Sequence, residues 1–446
     1  MNKKATSLRE IDSAVQLNKP IGPDHLYYTD FSKVRGDFED RIIYKTLNVN
    51  PQNFTYDTEV NQDNKTLLFL GGMRGSGKTS EIAKYVKNMH HSECFYCVVC
   101  NIDEELDMDN IEYMDILISQ LQKLTAQLAN DGISINKSTL KSLEKWFEER
   151  VNEINKSIEG TLNINAGIGI EKGGLWNKLL GILVGLETGI NGAVERSTQI
   201  RSTFKNHFND FALKANEFIH SVNTELKTKG IAREIFFVVD GLEKVYTAEV
   251  RRKIILEESN RIRQIKVNTL FTLPIELASE NRIIDKFSTV ENFPFIKIME
   301  RDGTPVQEAY ERFKEFVYNR IDKKLFDSEK TVEKAIKYGG GSPRELLRIL
   351  EKANHNADEE LGVITEENLD KALRRLANQA AQHLTKEDWA ELKIIEENNK
   401  AGRETLYSNR IANLIEHIIV LEYNDGTYKR LHPLLELSTI YQQEIG

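Results

Sequence analysis

The 446-residue chain has no apolar run long enough to span a bilayer. Met1-Asn2-Lys3-Lys4 is not followed by the apolar core of a signal peptide. From both absences a cytoplasmic protein is expected. An excess of basic charge is lacking as well: 60 Lys and Arg against 69 Asp and Glu leave a net charge of −9 and a sequence pI ≈ 5.7, a poor start for a protein whose main partner is nucleic acid. Cysteine is limited to three residues, Cys94-x-x-Cys97-x-x-Cys100, with His90 and His91 just upstream. A metal site is the sharper reading of that cluster. Against it, Phe95, Tyr96, Val98 and Val99 make the segment an apolar strand, in which residues three apart face opposite ways, and no fourth cysteine follows. A buried strand is expected.

What is present is organised around Gly71-Gly72-Met73-Arg74-Gly75-Ser76-Gly77-Lys78-Thr79-Ser80, which fits G-x-x-x-x-G-K-[ST] from Gly72 to Thr79. Leu67–Leu70 before it reads as a buried parallel strand, and Ile82, Tyr85, Val86 and Met89 after it recur at helical spacing. Gly72, Gly75 and Gly77 let backbone N–H groups, with those of Ser76 and Ser80, converge on phosphates at a helix N-terminus. Lys78 is expected to reach the β- and γ-phosphates and Thr79 to ligate Mg²⁺. The chain is expected to bind a nucleoside triphosphate.

Its length predicts about two to four domains. Residues 1–60 read as an arm and one helix packed on the nucleotide domain. Residues 61–300 read as a P-loop core with an insertion at about 105–233, since the second strand and the next, at Ile235, lie too far apart for an ordinary connection. Within it, residues 160–192 hold nine of the 26 glycines; Leu162–Ile170 alternates like a strand, and Leu175–Leu186 is a short apolar segment. Local packing or subunit contacts, a flexible segment, and a membrane-active or partner-docking element compete there. Further strands are expected at Ile235–Val239, Val267–Thr272 and Phe295–Ile298. Residues 301–383 read as a helical lid whose helices start at two capping boxes, Thr304–Gln307 and Ser342–Glu345. Residues 384–446 read as a winged helix, with Asn424-Asp425-Gly426 turning a hairpin. The expected fold class is therefore α/β: a parallel P-loop sheet with helices on both faces, a helical lid and a winged helix.

Asp240 ends its strand where a Mg²⁺-shell acid belongs, and Glu243 follows as a candidate to orient or deprotonate water. Thr272, at the tip of the next strand, is placed to touch the γ-phosphate or that water. Arg344 sits in the first turn of a helix, where the dipole disfavours a cation, beside Gly339-Gly340-Gly341; an approaching anion explains this. An arginine finger from a neighbouring subunit would come from Arg251, Arg252, Arg261 or Arg263.

Gly72–Ser80, Asp240-Gly241-Leu242-Glu243 and Gly341-Ser342-Pro343-Arg344, followed by a winged helix, resemble the AAA+ and STAND ATPases. The Asp-Gly-Leu-acid form resembles the NACHT branch, Gly-x-Pro the STAND motif near adenine, which places Pro343 there, and Gly-x-x-Arg the sensor 2 of initiator ATPases. Gly241 departs from the pattern, standing where most AAA+ proteins carry the catalytic glutamate, and this implies slow hydrolysis. The resemblance implies an ATP- and Mg²⁺-dependent switch that assembles with itself and a protein effector or sensor, a role several bacterial relatives play in phage defence. A DNA-binding initiator or loader is the alternative. Residues 386–446 oppose it with seven basic against eleven acidic side chains, a net of −4. A GTPase is discounted: Thr385-Lys386-Glu387-Asp388, its one nominal guanine-reading match, lies far from the sheet.

Overall fold

The computed structural model describes residues 3–17, 19–36, 38–58, 65–157, 162, 175–278, 283, 287, 289–423 and 428–445. Five parallel strands form the central sheet in the order β2-β3-β4-β1-β5: β1 Leu67–Gly71, β2 Phe95–Asn101, β3 Glu234–Asp240, β4 Asn268–Leu273 and β5 Val290–Asn292. The Asp240 strand is thus separated from the glycine-rich loop by the strand carrying Thr272. Both faces of the sheet are covered, which is why β3 reads as an unbroken apolar run. Ile235, Phe237 and Val239 enter one core, while Phe236 and Val238 enter the other. Cys97 and Cys100 divide in the same way and are fully buried.

On one face, α2 (Arg41–Thr46) and α3 (Lys78–Met89) pack through Ile43, Tyr44, Ile82, Tyr85 and Met89. The other carries the long connection from β2 to β3: α4 Ile102–Glu105, α5 Tyr113–Asn130, α6 Lys137–Ser157, α7 Leu175–Ile190, α8 Val194–Asn206 and α9 Phe208–Thr228. The apolar segment at 175–186 belongs to α7, whose Leu179, Leu183 and Leu186 are buried in that core, so it packs locally. The strand expected at 162–170 lies outside the described residues except for Leu162, as does the Asn424-Asp425-Gly426 turn. Among the described residues no helix is long and apolar enough to cross a membrane.

After β3 come α10 (Ala248–Arg252), a π-turn, α11 (Ser259–Gln264), β4 and the short α12 (Ile275–Ala278). The C-terminal part is helical: α13 Gln307–Tyr318, α14 Glu329–Tyr338, α15 Pro343–Asn354, α16 Glu366–Gln382, α17 Lys386–Lys400 and α18 Asn409–Glu416. The antiparallel pair β6 (Val420–Tyr423) and β7 (Tyr428–Leu431) and α19 (Thr439–Glu444) close it.

Several expectations are corrected. Phe295–Ile298 is not a strand. Its apolar side chains are divided between two C-terminal clusters, so its hydrophobicity serves a junction, and Ile296 N–H donates to Gly341 O at 3.2 Å. Thr304–Gln307 forms no capping box: Val306 N–H donates to Ile298 O, keeping this stretch extended, and α13 starts at Gln307. At Ser342 the box is half formed, because Ser342 Oγ accepts from Glu345 N–H while Glu345 pairs with Arg348. The N-terminal arm packs on more than the nucleotide core. Ala5 bridges to Ile321, and Leu8, Ile11 and Val15 of α1 (Leu8–Val15) join the cluster of α13–α16. Thr385–Asp388 is a reciprocal capping box at the start of α17, which accounts for that tetrapeptide without any base.

Candidate functional site

Gly75 and Gly77 have φ of +82° and +93°, so the loop closes only with glycine there, and α3 begins directly at Lys78. The buried Lys78 ammonium donates to the carbonyls of Gly72 (2.7 Å) and Met73 (3.1 Å). Burial lowers its pKa; Glu243 and Asp240 oppose that shift.

Asp240 and Glu243 are both buried beside this lysine. Burial raises Asp240, the charge of Glu243 adds to this, and hydrogen bonding from Thr79 opposes it. For Glu243 the upward push of burial is outweighed by Lys78, by its own backbone and by Thr272, so its carboxylate is held below the usual range. Thr272 Oγ1 donates to Glu243 Oε2 at 2.9 Å and accepts from Gly241 N–H at 3.0 Å. The Thr272 hydroxyl is therefore committed to holding the loop and does not line the cleft. Gly241 has φ +106°, and a Cβ there would lie 2.8 Å from Asp103 Oδ1, so a larger residue at this position strains the backbone and displaces the Asp103 carboxylate.

Two buried polar atoms at the loop, Asp240 Oδ1 and Ser76 Oγ, have no hydrogen-bond partner among the described residues. Buried oxygens of this kind are costly unless something pairs with them. A carboxylate oxygen and a neighbouring hydroxyl, Thr79, are hard donors of the sort Mg²⁺ takes, and the residues fit that ion.

The C-terminal helices close over the loop. Ser342 Oγ donates to Gly75 O at 3.1 Å, and a Cβ on Gly75 would lie 3.2 Å from that of Arg344. Gly341, at φ +81°, leaves no room for a side chain against Ile296 O. Arg344 is half-buried; burial and then the charge of Arg74 lower its pKa. Gly75, Gly77, Lys78, Thr79, Ser80, Glu243, Pro343 and Arg344 line one cleft, whereas Asp240, Gly72 and Ser76 do not line it.

Sequence reasoning missed the other wall, which is the N-terminal arm. Gln16, Ile21, Tyr28 and Phe31 line the cleft with Phe316, Pro343 and Leu347 as its more apolar end, and Phe31 packs directly on Phe316 with ring centroids 5.7 Å apart. Ile21 N–H donates to Ser80 Oγ at 3.2 Å, and Lys87 pairs with Asp24, strapping the arm over α3. Arg35 is fully buried, donates to Pro294 O at 2.8 Å and stacks on Phe293 beside Gly77. The only hint in the sequence was the aromatic run from His25 to Phe31 in an otherwise polar arm.

None of the four finger candidates lines the cleft. Arg251 is buried on Glu276 and Glu416, Arg261 pairs with Glu258, and Arg263 lies over Phe287.

No protein-family model matches the sequence, and no curated protein does. Two solved structures align along most of the chain. Cdc6p from Pyrobaculum aerophilum is 12% identical, with 97% of each chain covered and a TM-score of 0.35. The Walker-type ATPase paby2304 of Pyrococcus abyssi is 12% identical, with 93% of this chain and 99% of that chain covered and a TM-score of 0.38.

Proposed function

We propose that this chain is an ATP-binding regulatory ATPase whose nucleotide state controls the docking of its C-terminal unit, read as a winged helix, and through it self-assembly and a protein partner. The charge of the cleft carries the reading. Seven basic side chains and two acidic ones line it, in a chain whose net charge is −9. A polyanion is the ligand that such a site, built on a helix N-terminus and a glycine loop, holds best.

On this reading Lys78 exchanges the Gly72 and Met73 carbonyls for phosphate oxygens, while the loop amides hold the β-phosphate. Thr79 and Asp240 would hold Mg²⁺, which would supply positive charge to the phosphates. Glu243, ionised and pinned by Thr272, orients the attacking water and takes its proton. Arg344, with Arg74 beside it, senses the terminal phosphate. The apolar end between arm and Pro343 takes the base. With Gly241 in place of an acid, turnover is slow, as a switch requires. A role in phage defence follows from the resemblance to STAND proteins alone.

The test is the solution mass of wild type with ATP and with ADP, alongside Lys78→Ala. A larger species in ATP that Lys78→Ala loses is the expected result. An unchanged mass distribution counts against a switch, and salt-sensitive duplex binding at micromolar concentration favours an initiator-type ATPase instead.

A further inference from the structure

Arg251 stands where three parts of the molecule meet. Its Nη1 donates to Val245 O at 2.7 Å, two residues beyond Glu243. Its Nη2 donates to Glu276 Oε1 on α12 at 2.6 Å and to Glu416 Oε1 at the end of α18 at 2.9 Å. The guanidinium is 3% exposed.

The surroundings make this junction mechanical. α12 follows the Thr272 strand directly and lies against the start of the glycine loop, where a Cβ on Gly71 would be 2.1 Å from that of Ala278. On its other side α12 meets α18, and Ile275 shares one apolar cluster with Met73 of the loop and with Ile411, Leu414 and Ile415. Glu416 thus reaches Arg251 only while the C-terminal unit is seated on the loop. Within the cluster Arg251 Nε and Glu276 Oε2 are buried with no hydrogen-bond partner among the described residues. A buried ionic cluster left incompletely paired is a weak source of stability and a good candidate for a two-state contact.

We infer that Arg251 is a positioning residue that transmits the seating of the C-terminal unit to the loop bearing Glu243. With Glu416 engaged, one planar fork fixes Val245, α12 and α18 together; when α18 leaves, the fork loses one of its carboxylates and the hold on Val245 relaxes. Lysine has one point charge and cannot span these acceptors at once. The inference rests on the hydrolytic reading of Glu243, and the experiment separates the two.

ATP turnover is measured for wild type, Glu416→Gln, Arg251→Lys and the double variant. Glu416→Gln is expected to lower kcat about fivefold with KM within about twofold, Arg251→Lys to lower kcat about tenfold, and the double variant to be no slower than Arg251→Lys. An unchanged kcat in Glu416→Gln, or multiplicative losses in the double variant, overturns the inference. Glu416 is one-third exposed, so its variant remains informative if Arg251→Lys fails to fold. Wild type that binds ATP without hydrolysing it sinks the ATPase reading, and the coupling is then read from amide exchange over residues 242–247. Exchange there quickens about tenfold in Glu416→Gln if Arg251 links the parts, and an unchanged rate rejects the link.

Discussion

Two carboxylate–lysine clusters stand side by side at the C-terminal ends of neighbouring strands, since Asn101 of β2 pairs in register with Asp240 of β3. One holds Asp240, Glu243 and Lys78. The other holds Glu105, Glu187 and Lys123 above the end of β2. In the second, Glu105 is saturated: it accepts from Asn101 N–H (3.0 Å) and Ser119 Oγ (2.6 Å) and pairs with Lys123 (3.0 Å). In the first, Asp240 Oδ1 has no partner among the described residues and Lys78 rests on carbonyls of its own glycine loop. Acids and a lysine gathered at a strand end do not make a site by themselves. What distinguishes one is polar groups left unsatisfied around a cradle of glycine amides.

The largest effects should split the two clusters cleanly. Glu243→Gln is expected to lower ATP turnover by about 10²–10³-fold while ATP binding persists, and Glu105→Gln to leave turnover within about twofold. Steady-state assays on both variants check this; comparable losses would erase the distinction. Lys78→Ala is expected to weaken ATP binding about 100-fold, because a charge-assisted contact to phosphate is lost, whereas Lys123→Ala leaves affinity within about twofold. Equilibrium titration with a fluorescent ATP analogue reads both. A smaller effect is expected between the clusters, at Gly241, where a Cβ meets Asp103 and φ is +106°. Gly241→Ala should cost about 1–2 kcal/mol in urea unfolding, and a variant as stable as wild type would mean that the loop accepts a side chain after all.

The glycine loop, Asp240 and the buried strands were legible because their signals are local: a fixed spacing, or a run of five apolar residues covered on both faces. Phe295–Ile298 carried the same signal for another reason, since its side chains fill a junction with helices that follow it in the chain. The arm wall was illegible because its contacts are distant in sequence. Ile21 meets Ser80, and Ala5 meets Ile321 some three hundred positions on. The partners of Arg251 were illegible as well, because nothing in its own neighbourhood foretells that Glu276 and Glu416 converge on it.

The smallest effect is electrostatic and belongs to the saturated cluster. Burial and then the charge of Glu105 push the Glu187 carboxyl up to about 7, with Lys123 opposing. Its folded pKa lies above the 4.5 of the unfolded chain, so between those values the folded state holds the extra proton. Stability therefore falls as pH rises through that window, and the full penalty is present above it. Glu187→Gln removes the charge that has to be buried. The gain should be about 1 kcal/mol at pH 8, discounted for the group's partial exposure, and should shrink towards zero near pH 4.5. Urea unfolding at both pH values reads this, with ATP binding unaffected. A gain of equal size at the two pH values would trace the effect to packing and not to titration. A change in turnover would tie this cluster to the chemistry at Glu243 and undo the contrast between the two strand ends.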